Sequence, residues 1–179
     1  MDAFAVRDAE PGDASRIADA RARSWGADYS HVFPHETLEA MLDRPRLERA
    51  TTWWRGAIER SVRNVHTLVV DGEGGVVGFA SIGHVLAEQS EPEDVGELYA
   101  IYVLPDVRGH GIGRALMAEA LGRLRSGGFG TAILWVLEDN PRTRRFYDLT
   151  GWSHDGGVKE DEWLGTRVRE VRYRISLDP

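Results

Sequence analysis

The spacing of apolar positions changes period several times along this chain, and each change marks an element. Residues 4–8, ending in Val6-Arg7-Asp8, read as a short first strand. Gly12-Asp13 then offers a cap, and Ile17, Ala18, Ala20, Arg21 and Trp25 follow at helical spacing to about Gly26. Phe33-Pro34-His35 breaks the chain, and residues 36–42 and 47–60 read as further helix, split by Pro45. Thr67-Leu68-Val69-Val70, a glycine-rich turn at 72–75 and residues 76–85 form a hairpin. A polar loop covers 88–94. Residues 98–104 are almost unbroken apolar, which predicts a central strand. Residues 115–125 place Leu116, Met117, Ala120, Leu121 and Leu124 on one side of a helix, and 131–137 form another buried strand. Asn140-Pro141 starts a helix that runs to about Leu149 and ends at Gly151. In the tail, Val171, Tyr173, Ile175 and Leu177 alternate with Glu170, Arg172 and Arg174, which predicts an outer antiparallel strand. The order β-α-α-β-β-β-α-β-α-β-β predicts an α/β fold with a mixed, mostly antiparallel central sheet and helices on both faces.

The most informative stretch follows the central strand. After Val103-Leu104-Pro105 come Arg108-Gly109-His110-Gly111-Ile112-Gly113-Arg114, and then a helix. Glycines allow the backbone to turn its N–H groups inward, and a helix N-terminus adds partial positive charge, so this loop is suited to a phosphate. Other phosphate motifs fit less well. A dinucleotide fingerprint needs glycine at 114, where Arg114 stands, and the Gly-Lys-Ser/Thr of a P-loop is absent.

Composition narrows the field. The 179 residues suit one domain spanning 1–179, and 42% hydrophobic content suffices for a core. The absence of cysteine excludes a disulfide framework, a cysteine-ligated metal and a covalent acyl-cysteine. No histidine or acidic cluster has metal-ligand spacing, so no metal is expected. The first residues lack a secretory pattern and the apolar runs are strand-sized, so a soluble, cytoplasmic protein without a membrane partner is expected. The net charge of −7, with arginines dispersed among acids, argues against a nucleic-acid partner.

Arg108-x-x-Gly111-x-Gly113 after this strand, together with Asn140-Pro141, Phe146-Tyr147 and Gly151-Trp152, resembles the GNAT superfamily of acyl-CoA N-acyltransferases. The element order resembles that fold over nearly the whole chain. Trp152 departs from the commoner phenylalanine, a matter of packing. The resemblance implies an N-acetyltransferase that moves an acetyl group from acetyl-CoA to a small-molecule or peptide amine by direct transfer in a ternary complex. A non-catalytic acyl-CoA sensor and an O-acyltransferase remain the alternatives. The family's habit also admits a homodimer, although no residue pattern requires one.

By that resemblance, Arg108, Gly109, His110, Gly111, Ile112, Gly113 and Arg114 hold the pyrophosphate. The backbone of Ile101, Tyr102 and Val103, on a strand that bulges and splays in the family, meets the pantetheine arm and the acetyl carbonyl. Asn140 contacts the pantetheine arm and also reads as an N-cap, and Tyr147 is the general acid for the leaving thiolate. Asn140 and Tyr147 are seven residues apart, so they share a helix face. Glu97, four residues before Ile101, reads as a carboxylate at the strand mouth able to draw the amine's proton through a water; His84 is the second candidate. Trp25 and Tyr29, with Phe33, are expected to wall the acceptor pocket. Asp155 and Glu160-Asp161-Glu162, between the last strands, suggest a cationic amine.

Overall fold

The computed structural model describes residues 5–60, 65–85 and 91–178. The expected strand position Phe4 and residues 88–90 of the expected polar loop lie outside them. The described strands are β1 (Val6–Asp8), β2 (His66–Gly72), β3 (Gly75–His84), β4 (Val95–Val103), β5 (Thr131–Leu137), β6 (Ser153–Trp163) and β7 (Thr166–Ser176), and they form one sheet in the order β1-β2-β3-β4-β5-β7-β6. The α-helices are α1 (Ala14–Asp28), α2 (His35–Glu39), α3 (Arg44–Arg60), α4 (Ile112–Ser126) and α5 (Pro141–Leu149). The expected α/β class and mostly antiparallel sheet are found: β4 and β5 are parallel, and the other described pairings are antiparallel.

Three boundaries differ for identifiable reasons. The expected break between two helices is found at residues 40–43, just ahead of Pro45. Pro45 itself lies in the first turn of α3, where a missing N–H costs nothing because no acceptor would serve it. α1 runs past Gly26 to Asp28, since one glycine is tolerated in a helix otherwise fixed by packing. The tail strand β7 is not the outer strand. The Leu164-Gly165 turn folds β6 back onto it, and β6 takes the edge with its acidic, glycine-containing sequence. The predicted faces of β7 hold: Val171, Tyr173 and Leu177 are buried in the core. Glu170, on the opposite face, is nevertheless buried, at 4% exposure, and Lys159 lies 3.2 Å from its carboxylate.

The two faces carry different cores. α4 and α5 cover one, packing Leu116, Met117, Leu124 and Tyr147 against Leu68, Ile82, Leu98 and Leu134. On the other, Ile17 and Trp54, from α1 and α3, pack against Val69 and Phe79. α4 approaches closely because Gly78 has no side chain. A Cβ there would lie 3.0 Å from the Tyr102 carbonyl oxygen and 3.2–3.3 Å from Leu116 and Ile112.

An irregularity in β4 sets up everything downstream. Ser81 pairs with Ala100 and Ile82 with Leu98, which leaves Tyr99 as an extra residue, a β-bulge. The bulge offsets the alternation. Leu98, Ile101 and Val103 face the α4 core, whereas Ala100 and Tyr102 turn toward α1 and α3.

Gly78→Ala is expected to lower unfolding free energy by about 1–3 kcal/mol, the usual cost of overpacking, as measured by denaturant titration. A separate prediction concerns pH. Hydrogen bonds from Arg7 hold the Asp13 carboxyl below its ordinary 3.8. A carboxyl depressed on folding stabilises above its unfolded pKa, and that stability is lost as pH falls through the folded value. Asp13→Asn should therefore flatten the acid limb of a stability–pH curve below about pH 4.

Candidate active site

β4 and β5 stay together for three residue pairs, Val95 with Thr131, Gly96 with Ala132 and Glu97 with Ile133, and then diverge. Leu104 donates its N–H to Val77 on β3 at 2.9 Å. Backbone groups alternate sides along a strand, so the N–H groups of Ile101 and Val103 point away from β3, into the gap that β5 leaves. Such aligned donors in a sheltered cleft can bind an extended polar chain or stabilise negative charge on a carbonyl oxygen. The Val103 carbonyl is occupied by Arg108 Nε at 2.9 Å and by the Ser24 hydroxyl at 3.3 Å.

The glycine loop lies at the mouth of this gap. Gly109 and Gly111 adopt φ of 85° and 90°, a left-handed region in which side chains are strained. Gly111 is the N-cap of α4 and has no side chain to cap it, so among the described residues the N–H groups of the first turn, Ile112 to Arg114, lack both intrahelical and side-chain acceptors. His110 and Arg114 are exposed, and His110 Nδ1 lies 3.2 Å from the Val107 carbonyl oxygen. The Arg108 side chain turns away from the loop. Its guanidinium makes a two-pronged ion pair with Asp28, at 2.7 and 2.9 Å, which ties the C-terminus of α1 to the end of β4. Only its backbone faces the cradle. No local signal links Asp28 to Arg108, 80 residues away.

α5 closes the far side. Asn140 Oδ1 accepts the Thr143 N–H at 3.1 Å, the expected N-cap, while its Nδ2 is buried without a partner among the described residues. A buried unpaired donor is costly and points to a missing acceptor. Phe146 packs on the α4 start at Gly113, 3.5 Å from where a Cβ would lie. Tyr147 is buried at 6% exposure. Burial first, then the nearby Tyr102 and Asp28, push its hydroxyl pKa well above 10.0, so it remains protonated.

Trp25 and Tyr29 are brought together, but as a packed cluster. Trp25 stacks on Phe33 at 5.8 Å and on Trp163 at 5.4 Å, with Tyr29 edge-on at 5.0 Å. Both rings are buried, so they support the wall more than they line an open slot. Trp25 Nε1 donates to the Tyr102 hydroxyl at 2.9 Å, which joins this wall to β4. Trp163 comes from β6, and its role has no sequence signal because its partners are far away in the chain.

The candidate bases separate. Glu97 is not at an open mouth. β4 begins at Val95, so Glu97 lies inside the strand at the last pair before the divergence, at 5% exposure. His84 packs on Phe129, beyond the C-terminal end of α4. By helix rise, 15 residues put it on the order of 20 Å from the loop. The expected acids do not line an opening together. Asp155 is held by Arg172 and Arg174 at 2.8 and 3.0 Å. Glu160 borders a cavity of about 340 Å³ with Asp139, Arg167 and Arg169, so acids and arginines share its lining. Neither arrangement favours a cationic acceptor. Among the described residues, no group of three or more histidines and acids could hold a metal, and no helix is long and apolar enough to cross a membrane.

Comparison with known proteins accords with this geometry. The family model described as Acetyltransferase (GNAT) family matches residues 19–152. The uncharacterised N-acetyltransferase YuaI of Bacillus subtilis (strain 168) is 35% identical over 168 residues, covering 93% of this chain and 89% of its own. A mycothiol acetyltransferase of Actinosynnema mirum is 33% identical over 83% of this chain, but this chain spans only 44% of that relative. Among solved structures, the PaiA N-acetyltransferase of Thermoplasma acidophilum, in complex with coenzyme A, superposes with a TM-score of 0.74 at 19% identity, covering 98% of this chain and 99% of that one. The ribosomal-protein-alanine N-acetyltransferase of Brucella melitensis gives 0.72 at 21% identity, with 97% and 99% covered. At these identities the two structures speak to the fold alone.

The two functions of Asn140 can be separated. Asn140→Ser keeps an N-cap oxygen and removes the buried Nδ2 donor. Thermal stability should change little, while coenzyme A binding measured by calorimetry should weaken about 5- to 10-fold, the worth of one hydrogen bond. Unchanged affinity would show that Nδ2 does not serve the ligand.

Proposed function

Because this chain belongs to the acetyltransferase (GNAT) family, we propose that it moves an acetyl group from acetyl-CoA to an amine by direct transfer in a ternary complex, with residues 1–179 acting as one catalytic unit. The observation that carries this reading is the divergence of β4 from β5 beyond Glu97, with backbone donors on one side and the protonated Tyr147 on the other. The fit to acetyl-CoA is supported by the buried, unpartnered Asn140 Nδ2 and by the uncapped start of α4. Bound acetyl-CoA supplies an acetyl group activated as a thioester.

The residues divide the work as follows. The N–H groups from Gly109 to Arg114 hold the pyrophosphate, aided by the helix N-terminus. Asn140 and the edge of β4 orient the pantetheine arm. The N–H groups of Ile101 or Val103 stabilise the negative charge that develops on the acetyl carbonyl oxygen as the amine nitrogen attacks. Glu97, at the apex of the gap, takes the proton released by the amine, directly or through a water. Tyr147 donates its proton to the sulfur as the carbon–sulfur bond breaks. Arg108, bound to Asp28 and to the Val103 carbonyl, fixes the strand end and is a positioning residue. Trp25 and Tyr29 form the wall on the acceptor side, and Trp25 holds the Tyr102 hydroxyl. With no cysteine in the chain, direct attack does not compete with a cysteine-linked route.

Thiol release from acetyl-CoA across a panel of amines, amino acids and peptides tests the assignment. Tyr147→Phe should lower kcat by about 100-fold or more, the usual contribution of a general acid, with coenzyme A affinity unchanged. A kcat equal to the parent's would remove Tyr147 from the chemistry. Since burial raises the Tyr147 pKa above 10.0, the parent's rate should show no tyrosine-dependent loss as pH rises to about 10. An alkaline decline below that pH, absent in Tyr147→Phe, would show that burial does not raise the Tyr147 pKa in the working enzyme.

A further inference from the structure

Between α1, α3 and the tip of the β6–β7 hairpin lies a cavity of about 250 Å³ that the acetyl-transfer reading does not use. Its floor is apolar, with Trp54 and Met41, and Leu164 at the hairpin turn forms one side. Arg21, Arg46 and Arg49 are its charged lining residues, and no carboxylate is among the lining. This is unusual in a chain of net charge −7. Acids stand close by on the same helices, but other arginines engage them: Asp19 pairs with Arg23 at 3.9 Å and Glu48 with Arg44 at 2.8 Å. Among the described residues, Arg21, Arg46 and Arg49 have no ion-pair partner. Arg21 instead lies over the Trp25 ring, 4.9 Å from its centroid.

Three guanidinium groups therefore border an apolar floor that has no carboxylate in its lining. Guanidinium forks match carboxylate and phosphate oxygens in pairs, and an apolar floor rewards a ligand with a hydrocarbon or aromatic body. We propose that this pocket binds a small organic anion, a carboxylate or phosphate carried on a short apolar or single-ring body. The volume lies just below that of pockets for drug-sized ligands, which sets the size of the guest. The pocket is connected to the transfer centre through Arg21, Trp25 and the Tyr102 hydroxyl. The anion is therefore either the acidic end of the acceptor or a separate molecule that braces the aromatic wall.

Calorimetry with benzoate and phenylphosphate, in the presence of saturating coenzyme A, keeps these probes off the glycine loop. The parent protein should bind at least one of them. Arg46 and Arg49 are exposed, so the double variant R46A/R49A should fold normally, bind the anions about tenfold or more weakly as charge-assisted hydrogen bonds are lost, and keep its coenzyme A affinity. The absence of anion binding in the parent, or equal binding in the double variant, would overturn the proposal. Neither readout depends on turnover, so the acetyl-transfer reading can fail without affecting it. A second arm identifies the source. Amino acids and their matching amides serve as acceptors. A KM rise in R46A/R49A confined to the acid-bearing member assigns the site to the acceptor. Anion binding that leaves every KM unchanged assigns it to a separate ligand, and both results support the site.

Discussion

Three residue pairs hold β4 to β5, and the loss of pairing beyond Glu97 is the constraint on which the rest of the structure depends. A parallel pair that continued would satisfy the backbone of Ile101 and Val103 and leave no space between the strands. The divergence leaves polar backbone in a sheltered place, which a protein tolerates only when some other group satisfies it. Here Arg108 and Ser24 take the Val103 carbonyl, while the N–H groups of Ile101 and Val103 face the gap. The bulge at Tyr99 determines which side chains accompany this edge. Without the extra residue, Tyr102 would face the α4 core. With it, Tyr102 meets Trp25 on the opposite side.

The two helix starts that border the gap are built in opposite ways. α5 begins with Asn140, whose own oxygen caps the Thr143 N–H. α4 begins with Gly111, which has nothing to offer its first turn. One helix is finished internally and is pinned in place. The other presents its N–H groups and partial positive charge outward, as an anion site requires. The ion pair between Arg108 and Asp28 holds the uncapped end in position without occupying it, because the guanidinium points to α1 and leaves the loop clear.

The aromatic cluster beside β4 is a packed unit. Trp25, Tyr29, Phe33 and Trp163 come from a helix, the turn after it and an edge hairpin, and they bury one another. A wall formed this way is tied to β6 through the stacking of Trp25 on Trp163. This gives an anion resting on Arg21 a route to the strand that carries Tyr102, since Arg21 sits on the face of Trp25. The sheet face beneath is charged but internally compensated, with Asp155 bound by Arg172 and Arg174 and Glu170 by Lys159. Clustered acids therefore do not by themselves mark a cationic acceptor.

Much of this was legible in one dimension. Element types follow from periods of 2 and 3.6, the α4 start from three glycines between a strand and a helix, and the Asn140 cap from its place before Pro141. These depend on residues within a turn or two of each other, where backbone sterics and local hydrogen bonds decide the outcome. Local sequence thus set most strands and helices, the glycine-rich start of α4 and the cap of α5. Tertiary structure alone decided the rest: the bulge at Tyr99, the burial of Glu97, the turn of Arg108 to Asp28, the interior place of β7, the contribution of Trp163 and the arginine-lined cavity. Each depends on groups tens of residues apart, brought together only when the sheet closes and its two faces are covered. No local spacing encodes that proximity, because it is set by packing across the fold.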